Sequence, residues 1–333
     1  MDIKKDLIRI TSEYLEDTLD YEKLLKTSKE YKNVLNTLSN ENLDNEKGRN
    51  DIHFNNGKAL GSVWAALCID DLVRTRQFIR GIHKAIEGKK AKKEIIHILY
   101  AGTGPFATLI LPFILRYSKS EIKYTLLEIN PLSFNVLQNV ISKLGLEEHD
   151  IKFVNDDATK YKFDNGTPDI IVSETMQNAL DKEQQVSIFY NLMSQGNTDT
   201  IFIPENITVS IDLKEKGIAV EKLQRKDYHK QNIIFELSKE TMFTSEEIEF
   251  QPGKEPKYPK KTTIIEREKL VGFNELVLIT EIQVFKDIKI ILNESGLTTP
   301  KSIKDISENH QGTININSQY VIGTSPKFDL EIL

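Results

Sequence analysis

The sequence alternates two hydrophobic patterns between residues 95 and 205, and this alternation limits the possible folds more than any other feature. Short runs rich in Ile, Val, Leu and Tyr are typical of buried strands, and runs with helical spacing separate them. The strand candidates are IIHILYAG, YTLLEI, IKFVN, PDIIVSE and TIFIPE, and the helical candidates are residues 106–118, 131–145 and 181–195. This order predicts an α/β fold, with a mainly parallel sheet and helices on both faces.

The pattern changes after residue 205, where short β-branched runs are separated by turn residues. The runs are ITVSIDL, NIIFELS, KTTIIERE, ELVLITEIQVF, IKIIL, TININS and YVIGT. They predict an antiparallel sheet or barrel. Residues 1–50 and 60–87 show helical spacing instead.

We therefore predict three units: a helical segment at 1–50, an α/β domain at 51–205 and a β-rich, barrel-like domain at 206–333. A cap packed on the α/β domain is the favoured interpretation of the helical segment. A dimerisation element or an active-site lid are its alternatives.

Composition excludes several classes of function. The net charge of −6 shows no basic footprint for nucleic acid, and the six histidines are too scattered for a metal site. A single cysteine, Cys68, excludes an internal disulfide and fits a reducing compartment. The most apolar stretch, residues 106–115, is too short to span a bilayer. We expect a cytoplasmic protein without metal, membrane or nucleic-acid partners.

A turn rich in small residues follows the first strand of the predicted parallel sheet. It contains Ala101, Gly102 and Gly104, which would let the backbone approach a ligand closely. Amides at the start of the following helix favour a carboxylate or a phosphate. By itself this turn is a weak signal.

Acidic residues close the next two strands. Glu128 ends the second strand, where a carboxylate can accept two hydrogen bonds from a ribose diol. The third strand is followed by Asp156, Asp157 and Ala158. We assign Asp157 to an adenine amino group and the Ala158 amide to a ring nitrogen. The turn and these acids together predict a nucleoside ligand.

Two further motifs resemble those of protein arginine methyltransferases. The run DLVRTRQF at 71–78 is similar to the family's D-x-x-R-T-x-x-[FY] motif. The resemblance implies that Arg74 binds the methionyl carboxylate of S-adenosylmethionine. A bidentate guanidinium suits that role.

The second motif follows the fourth strand, where the family has S-E-x-M-G-x-x-L-x-x-E. Ser173, Glu174, Met176, Leu180 and Glu183 fall in register with it, and the nine-residue interval between the glutamates is kept. The resemblance implies that Glu174 and Glu183 are the catalytic pair and that, with Met176, they bind the acceptor. Two carboxylates can hold a planar cation and favour electron density on its attacking nitrogen.

The sequence also departs from the family pattern. Tyr100 stands where a glycine is usual, Ile98 where an acid is common, and Gln177 replaces the glycine between the two glutamates. No Thr-His-Trp motif occurs in the β-rich region, whose histidines are His229 and His310. His53 and Phe54 are rough candidates for a lid over the donor.

Taken together, the resemblance implies a class I S-adenosylmethionine-dependent methyltransferase with a seven-strand Rossmann-like domain and a β-barrel-like C-terminal domain. We expect methyl transfer to a guanidino or amine nitrogen of a small molecule or a peptide, and a homodimer is compatible. One alternative is an O-methyltransferase of a small carboxylate or phenol. The other is a catalytically silent subunit that only binds.

Overall fold

A computed structural model describes residues 2–39, 43, 45–164, 166–218, 223–306 and 312–333. The N-terminal part is helical, with α1 (Ile3–Ser12), α2 (Tyr21–Ser39) and α3 (Glu46–Arg49). Its packing side carries fully buried Leu7, Tyr14 and Leu35. The segment is also bonded to the domain beneath it, because Tyr31 donates a hydrogen bond to the Thr108 carbonyl at 3.1 Å. These contacts pack the helical segment against the α/β domain.

The central layer is a five-stranded parallel sheet. Its strands are β3 (Ile96–Ala101), β4 (Ile122–Leu127), β5 (Ile151–Val154), β6 (Ile170–Ser173) and β7 (Ile201–Ile203), in the order β5-β4-β3-β6-β7. The helices of this domain are α4 (Ser62–Leu67), α5 (Leu72–Lys90), α6 (Leu111–Ile114), α7 (Pro131–Lys143) and α8 (Gln185–Met193). Strand order reverses between β3 and β6, and such a point forms a crevice at the carboxyl edge of the sheet.

An antiparallel β-rich region follows the parallel sheet. One sheet has the order β12-β11-β8-β9 with β13 also paired to β11, and another has the order β10-β14-β15. The elements are β8 (Asn206–Glu215), β9 (Tyr228–Ser238), α9 (Lys239–Thr244), β10 (Lys261–Ile265), β11 (Phe273–Phe285), β12 (Ile288–Ile290), β13 (Lys301–Asp305), β14 (Ile314–Val321) and β15 (Lys327–Ile332). The predicted α/β fold with a β-rich C-terminal region is confirmed.

In the described residues the parallel sheet has five strands, whereas the resemblance implied seven. Two further details differ from the sequence predictions. Residues 106–118 form only the short helix α6, because Ala107 adopts a left-handed φ of 44° and turns the chain. A hairpin that the sequence analysis did not assign joins β1 (Ile52–Phe54) to β2 (Gly57–Ala59). Gly57 supplies the φ of 126° that the turn needs.

The two main regions are packed tightly through α5 and β11. A Cβ atom at Gly81 would lie only 2.6 Å from the Val284 Cγ1 atom, so glycine allows the helix to approach the strand. At the start of α5, the Asp71 carboxylate accepts hydrogen bonds from the Arg74 amide and from the Ser295 hydroxyl, at 3.2 and 2.6 Å. The β-rich region is thereby fixed next to the carboxyl edge of the parallel sheet.

Candidate active site

A cleft open to solvent lies at the carboxyl edge of the parallel sheet. It brings together seven of the predicted site residues, which are Arg74, Gly102, Gly104, Glu128, Ala158, Glu174 and Glu183. Three others lie beside it without lining it, namely Ala101, Asp157 and Met176. Residues from four consecutive strand ends therefore share one cavity, although they are far apart in the sequence.

The turn after β3 is shaped by its glycines. Gly102 and Gly104 have φ angles of 76° and 62°, which disfavour other residues. The Gly102 amide donates to the Leu127 carbonyl at 2.9 Å, and this bond ties the turn to the neighbouring strand. A Cβ at Gly102 would overlap the methyl group of Thr175. The turn is therefore packed closely against Thr175, and both of its glycines line the cleft.

Glu128 is held in a fixed orientation by backbone amides. Its carboxylate accepts from the Gly104 amide at 2.7 Å and from the Asn130 amide at 2.8 Å. The side chain is buried, and desolvation raises its pKa while the amide hydrogen bonds oppose the rise. The first glycine turn and the second strand end are thus joined by this carboxylate.

The acid after β5 that faces the cleft is Asp156 and not Asp157. Asp157 instead accepts from the Thr159 amide at 2.9 Å and pairs with Lys160 at 3.2 Å, so it supports the local turn. Asp156 and Ala158 line the cleft on either side of it. The sequence could not distinguish two adjacent acids, because the turn conformation decides which of them lines the cleft.

Arg74 and Glu174, to which the resemblance gave separate ligands, form an ion pair with each other. Both are buried, and the second guanidinium nitrogen of Arg74 donates to the Cys68 carbonyl at 2.9 Å. Glu174 follows β6 directly, while Arg74 comes from the first turn of α5. The pair therefore links the region predicted to bind the donor with the region predicted to bind the acceptor.

Glu183 is the second of the two glutamates predicted to bind the acceptor, and it is only 6% exposed. Desolvation raises its pKa to about 7, against the opposing effects of a hydrogen bond from Gln177 and of the charges of Lys58 and Arg74. Gln177, which replaces the family's glycine, is thus a partner of this carboxylate. The ionisation of Glu183 should change near neutral pH.

The β1–β2 hairpin also contributes residues to the cleft, and the sequence patterns did not predict this contribution. Lys58 lines the cleft, and its ammonium group pairs with Asp51 at 2.6 Å. The Lys58 amide donates to the Lys182 carbonyl at 2.9 Å, beside Glu183. The Asn55-Asn56-Gly57 turn was the available signal, since Asn-Gly favours a tight hairpin. His53 and Phe54, the rough candidates for a lid, lie on this hairpin but do not line the cleft.

Tyr100 also lines the cleft, where the family usually has a glycine. It is 4% exposed, and burial raises the pKa of its hydroxyl. Of the two histidines in the β-rich region, His229 bonds to Glu215 at 2.8 Å and does not line the cleft. His310 lies outside the described residues.

The described residues hold neither a metal-binding cluster nor a membrane-spanning helix. They contain no group of three or more His, Cys, Asp or Glu side chains arranged to hold a metal ion. Likewise, none of their helices combines the length and apolar character needed to cross a bilayer.

Comparison with solved structures shows a likeness of fold. The chain is similar to a chain from the Trypanosoma brucei PRMT1 enzyme-prozyme heterotetrameric complex with AdoHcy. The TM-score is 0.51 at 11% sequence identity, over 80% of this chain and 91% of that one. No protein-family model and no curated protein sequence matches this chain. This chain and the chain of that complex share an architecture, in which a Rossmann-like domain is followed by a β-rich domain.

Proposed function

We propose that the protein is an S-adenosylmethionine-dependent methyltransferase that acts on a guanidino or amine nitrogen. The observation that carries this proposal is the meeting of Glu128, the Gly102–Gly104 turn, Glu174 and Glu183 in one cleft. Solved relatives of the fold include a complex with AdoHcy, the demethylated form of the donor. The same complex is named for an enzyme and a prozyme. For this reason we keep the catalytically silent subunit as an alternative.

The donor would be held by residues of the α/β domain. Glu128, which two backbone amides keep in place, suits the ribose hydroxyls, and Gly102 and Gly104 of the adjacent turn line the same cleft. Asp156 and the Ala158 backbone suit the adenine, and Arg74 suits the carboxylate. When bound, the sulfonium supplies a methyl group for one-step displacement. The protein contributes alignment and electrostatics.

The acceptor would lie between Glu174 and Glu183. Both carboxylates line the cleft, and both are buried, so a cation placed there would be attracted with little screening by water. Glu183 must lose its proton to attract it, which the pKa of about 7 permits at neutral pH. A cationic acceptor would also compete with Arg74 for Glu174.

One observation favours transfer to oxygen as a second candidate. Arg74 and Lys58 both line the cleft, so its positive charge is larger than the sequence motifs suggested. Arg74 neutralises the charge of Glu174, and the pKa of Glu183 lies near neutrality. A carboxylate or phenolate acceptor would therefore be repelled less than by two unpaired, fully ionised glutamates. Lys58 is itself paired with Asp51, and for this reason we place the nitrogen acceptor first.

Titration calorimetry tests the donor part of the proposal. S-adenosylmethionine should bind the wild type, and Glu128→Ala should weaken binding by about 1–3 kcal/mol. Glu128→Gln is the second variant, since it keeps one carbonyl acceptor for the turn while removing the charge. Absence of binding to the folded wild type would refute the donor assignment.

A screen with labelled donor tests the acceptor part. Arginine, its small analogues, Arg-containing peptides, amines, carboxylates and phenols are compared on the wild type, Glu174→Gln and Glu183→Gln. A guanidino acceptor should lose about 3–5 kcal/mol of transition-state stabilisation in either variant. Methylation of a carboxylate or phenol that survives both substitutions would establish the O-methyltransferase instead. A chain that binds the donor and methylates nothing would be the silent subunit.

Three further predictions from the sequence remain part of the proposal. They are the domain limits at 50 and 205, a cytoplasmic location and a homodimer. Sedimentation equilibrium of the full chain decides the last of these.

A further inference from the structure

The loop between the two glutamates has an unusual backbone. Ala179, Leu180 and Lys182 have φ angles of 54°, 54° and 65°, although none of them is glycine. A left-handed backbone is unfavourable for a residue with a side chain, which crowds the neighbouring carbonyl. Three of them within four positions persist only where surrounding contacts hold the backbone.

Those contacts come largely from the β-rich region. The Thr280 hydroxyl oxygen accepts a hydrogen bond from the Ala179 amide at 2.9 Å. The Tyr320 hydroxyl donates to the Leu180 carbonyl at 2.8 Å. Further along the loop, the Lys182 amide donates to the Pro326 carbonyl at 2.7 Å.

Thr280 and Tyr320 reach the loop from separate sheets, β11 and β14, and both are almost fully buried. Neither lines the cleft. Their side chains carry no formal charge and their bonds go to backbone atoms, so any influence on an acceptor must act through the shape of the loop.

The two glutamates consequently depend on different parts of the molecule. Glu174 follows β6 and is held by its ion pair with Arg74 of α5, both within the α/β domain. Glu183 lies three residues after Leu180, at the end of the segment that the β-rich region holds. A relaxation of Ala179 and Leu180 to ordinary φ angles would move Glu183 relative to Glu174.

We propose that Thr280 and Tyr320 are positioning residues that set the separation and orientation of the two acceptor-binding carboxylates. This inference rests on the proposed function, because it gives the loop its role in holding the acceptor. It also assigns the β-rich region a task at the site that requires no Thr-His-Trp motif.

Tyr320→Phe tests the proposal by removing one hydroxyl group. The matched control is Tyr258→Phe, because Tyr258 is a buried neighbour with its ring centre 5.8 Å from that of Tyr320. Within the described part of the chain, its hydroxyl makes no hydrogen bond to residues 174–184. Tyr320→Phe should lower kcat/KM for the acceptor at least tenfold and change the Kd of S-adenosylmethionine less than twofold. Tyr258→Phe should leave both unchanged.

Thr280 offers a test in which packing and hydrogen bonding predict opposite results. Thr280→Ser keeps the oxygen that accepts from the Ala179 amide, whereas Thr280→Val keeps the shape and loses that oxygen. The serine variant should retain kcat/KM within about threefold of wild type, and the valine variant should lose at least tenfold. Activity kept by valine and lost by serine would overturn the proposal in favour of simple packing.

Amide hydrogen exchange of the full-length protein separates failure of this inference from failure of the proposed function. Amides 178–183 should exchange at least tenfold faster in Tyr320→Phe than in Tyr258→Phe, with or without an acceptor. Equal exchange would refute the positioning role whatever the activity. Faster exchange in a protein that methylates nothing would support the role for the loop and refute the function.

Discussion

Arg74 and Glu174 form a buried ion pair across the cleft, so the residue assigned to the donor is bonded to a residue assigned to the acceptor. The guanidinium also donates to the Cys68 carbonyl at 2.9 Å. A lysine could not hold both partners in this planar geometry. The pair gives the two halves of the proposed site a direct electrostatic connection.

Arg74→Lys should weaken S-adenosylmethionine about tenfold, or roughly 1.4 kcal/mol. Adenosine, which lacks the carboxylate, should bind the variant and the wild type equally, as calorimetry would show. Glu174→Gln should leave donor affinity unchanged or raise it, because Arg74 then has no competing carboxylate. Equal losses for adenosine and the full donor would make Arg74 a structural residue.

Activity towards a guanidino acceptor should rise with pH up to about 7 and then level off. Glu183 attracts the cation only when ionised, and burial raises its pKa to about 7. The acceptor stays charged throughout this range, so it adds no titration of its own. The pH profile of kcat/KM checks this, with Glu183→Gln as the control that should lack the rise.

Stability should depend on Glu183 in the opposite sense. Its pKa is higher in the folded protein than the ordinary value of 4.5, so the folded state binds the proton more tightly. The resulting stabilisation is present below about pH 4.5 and is lost as the pH rises through 7, a difference of about 3 kcal/mol. Urea unfolding of wild type and Glu183→Gln between pH 5 and 8 measures it. Parallel curves for the two proteins would contradict the assignment.

Asp156→Asn should lower the affinity for S-adenosylmethionine several-fold, while Asp157→Asn should leave that affinity unchanged. Only Asp156 lines the cleft, and Asp157 is bonded to Thr159. Asparagine at 157 keeps an oxygen for that bond, so the turn should survive. Calorimetry on both variants compares adjacent acids with equal charge changes. A larger effect at 157 would restore the assignment made from the sequence.

Gly81→Ala should destabilise the protein by about 1–3 kcal/mol, because the new methyl group would press on Val284 of β11. Gly88 lies in the same helix and has open space around it. Gly88→Ala should therefore stabilise by roughly 0.5–1 kcal/mol through helix propensity. Denaturant unfolding of both variants checks this pair, and equal effects would contradict the close packing of α5 on β11.

Local sequence patterns were enough to predict the α/β alternation, the β-rich C-terminal region and seven of the residues that line the cleft. Hydrophobic periodicity is a local property, and parallel strands end at the same edge, so the turn at Gly102, Glu128 and the segment after β6 had to come together. The interval between Glu174 and Glu183 was equally visible in the chain.

The pairing of these residues could not be predicted from local patterns, because it depends on how distant elements pack. Tertiary packing put Asp156 in the lining of the cleft in place of Asp157, joined Arg74 to Glu174, and placed Lys58 in the cleft. It also bonded the loop before Glu183 to Thr280 and Tyr320, about 100 and 140 residues away from their partners. Such contacts depend on the packing of distant elements. The left-handed backbone at Ala179 and Leu180 could not be predicted from the sequence, because alanine and leucine normally avoid that conformation.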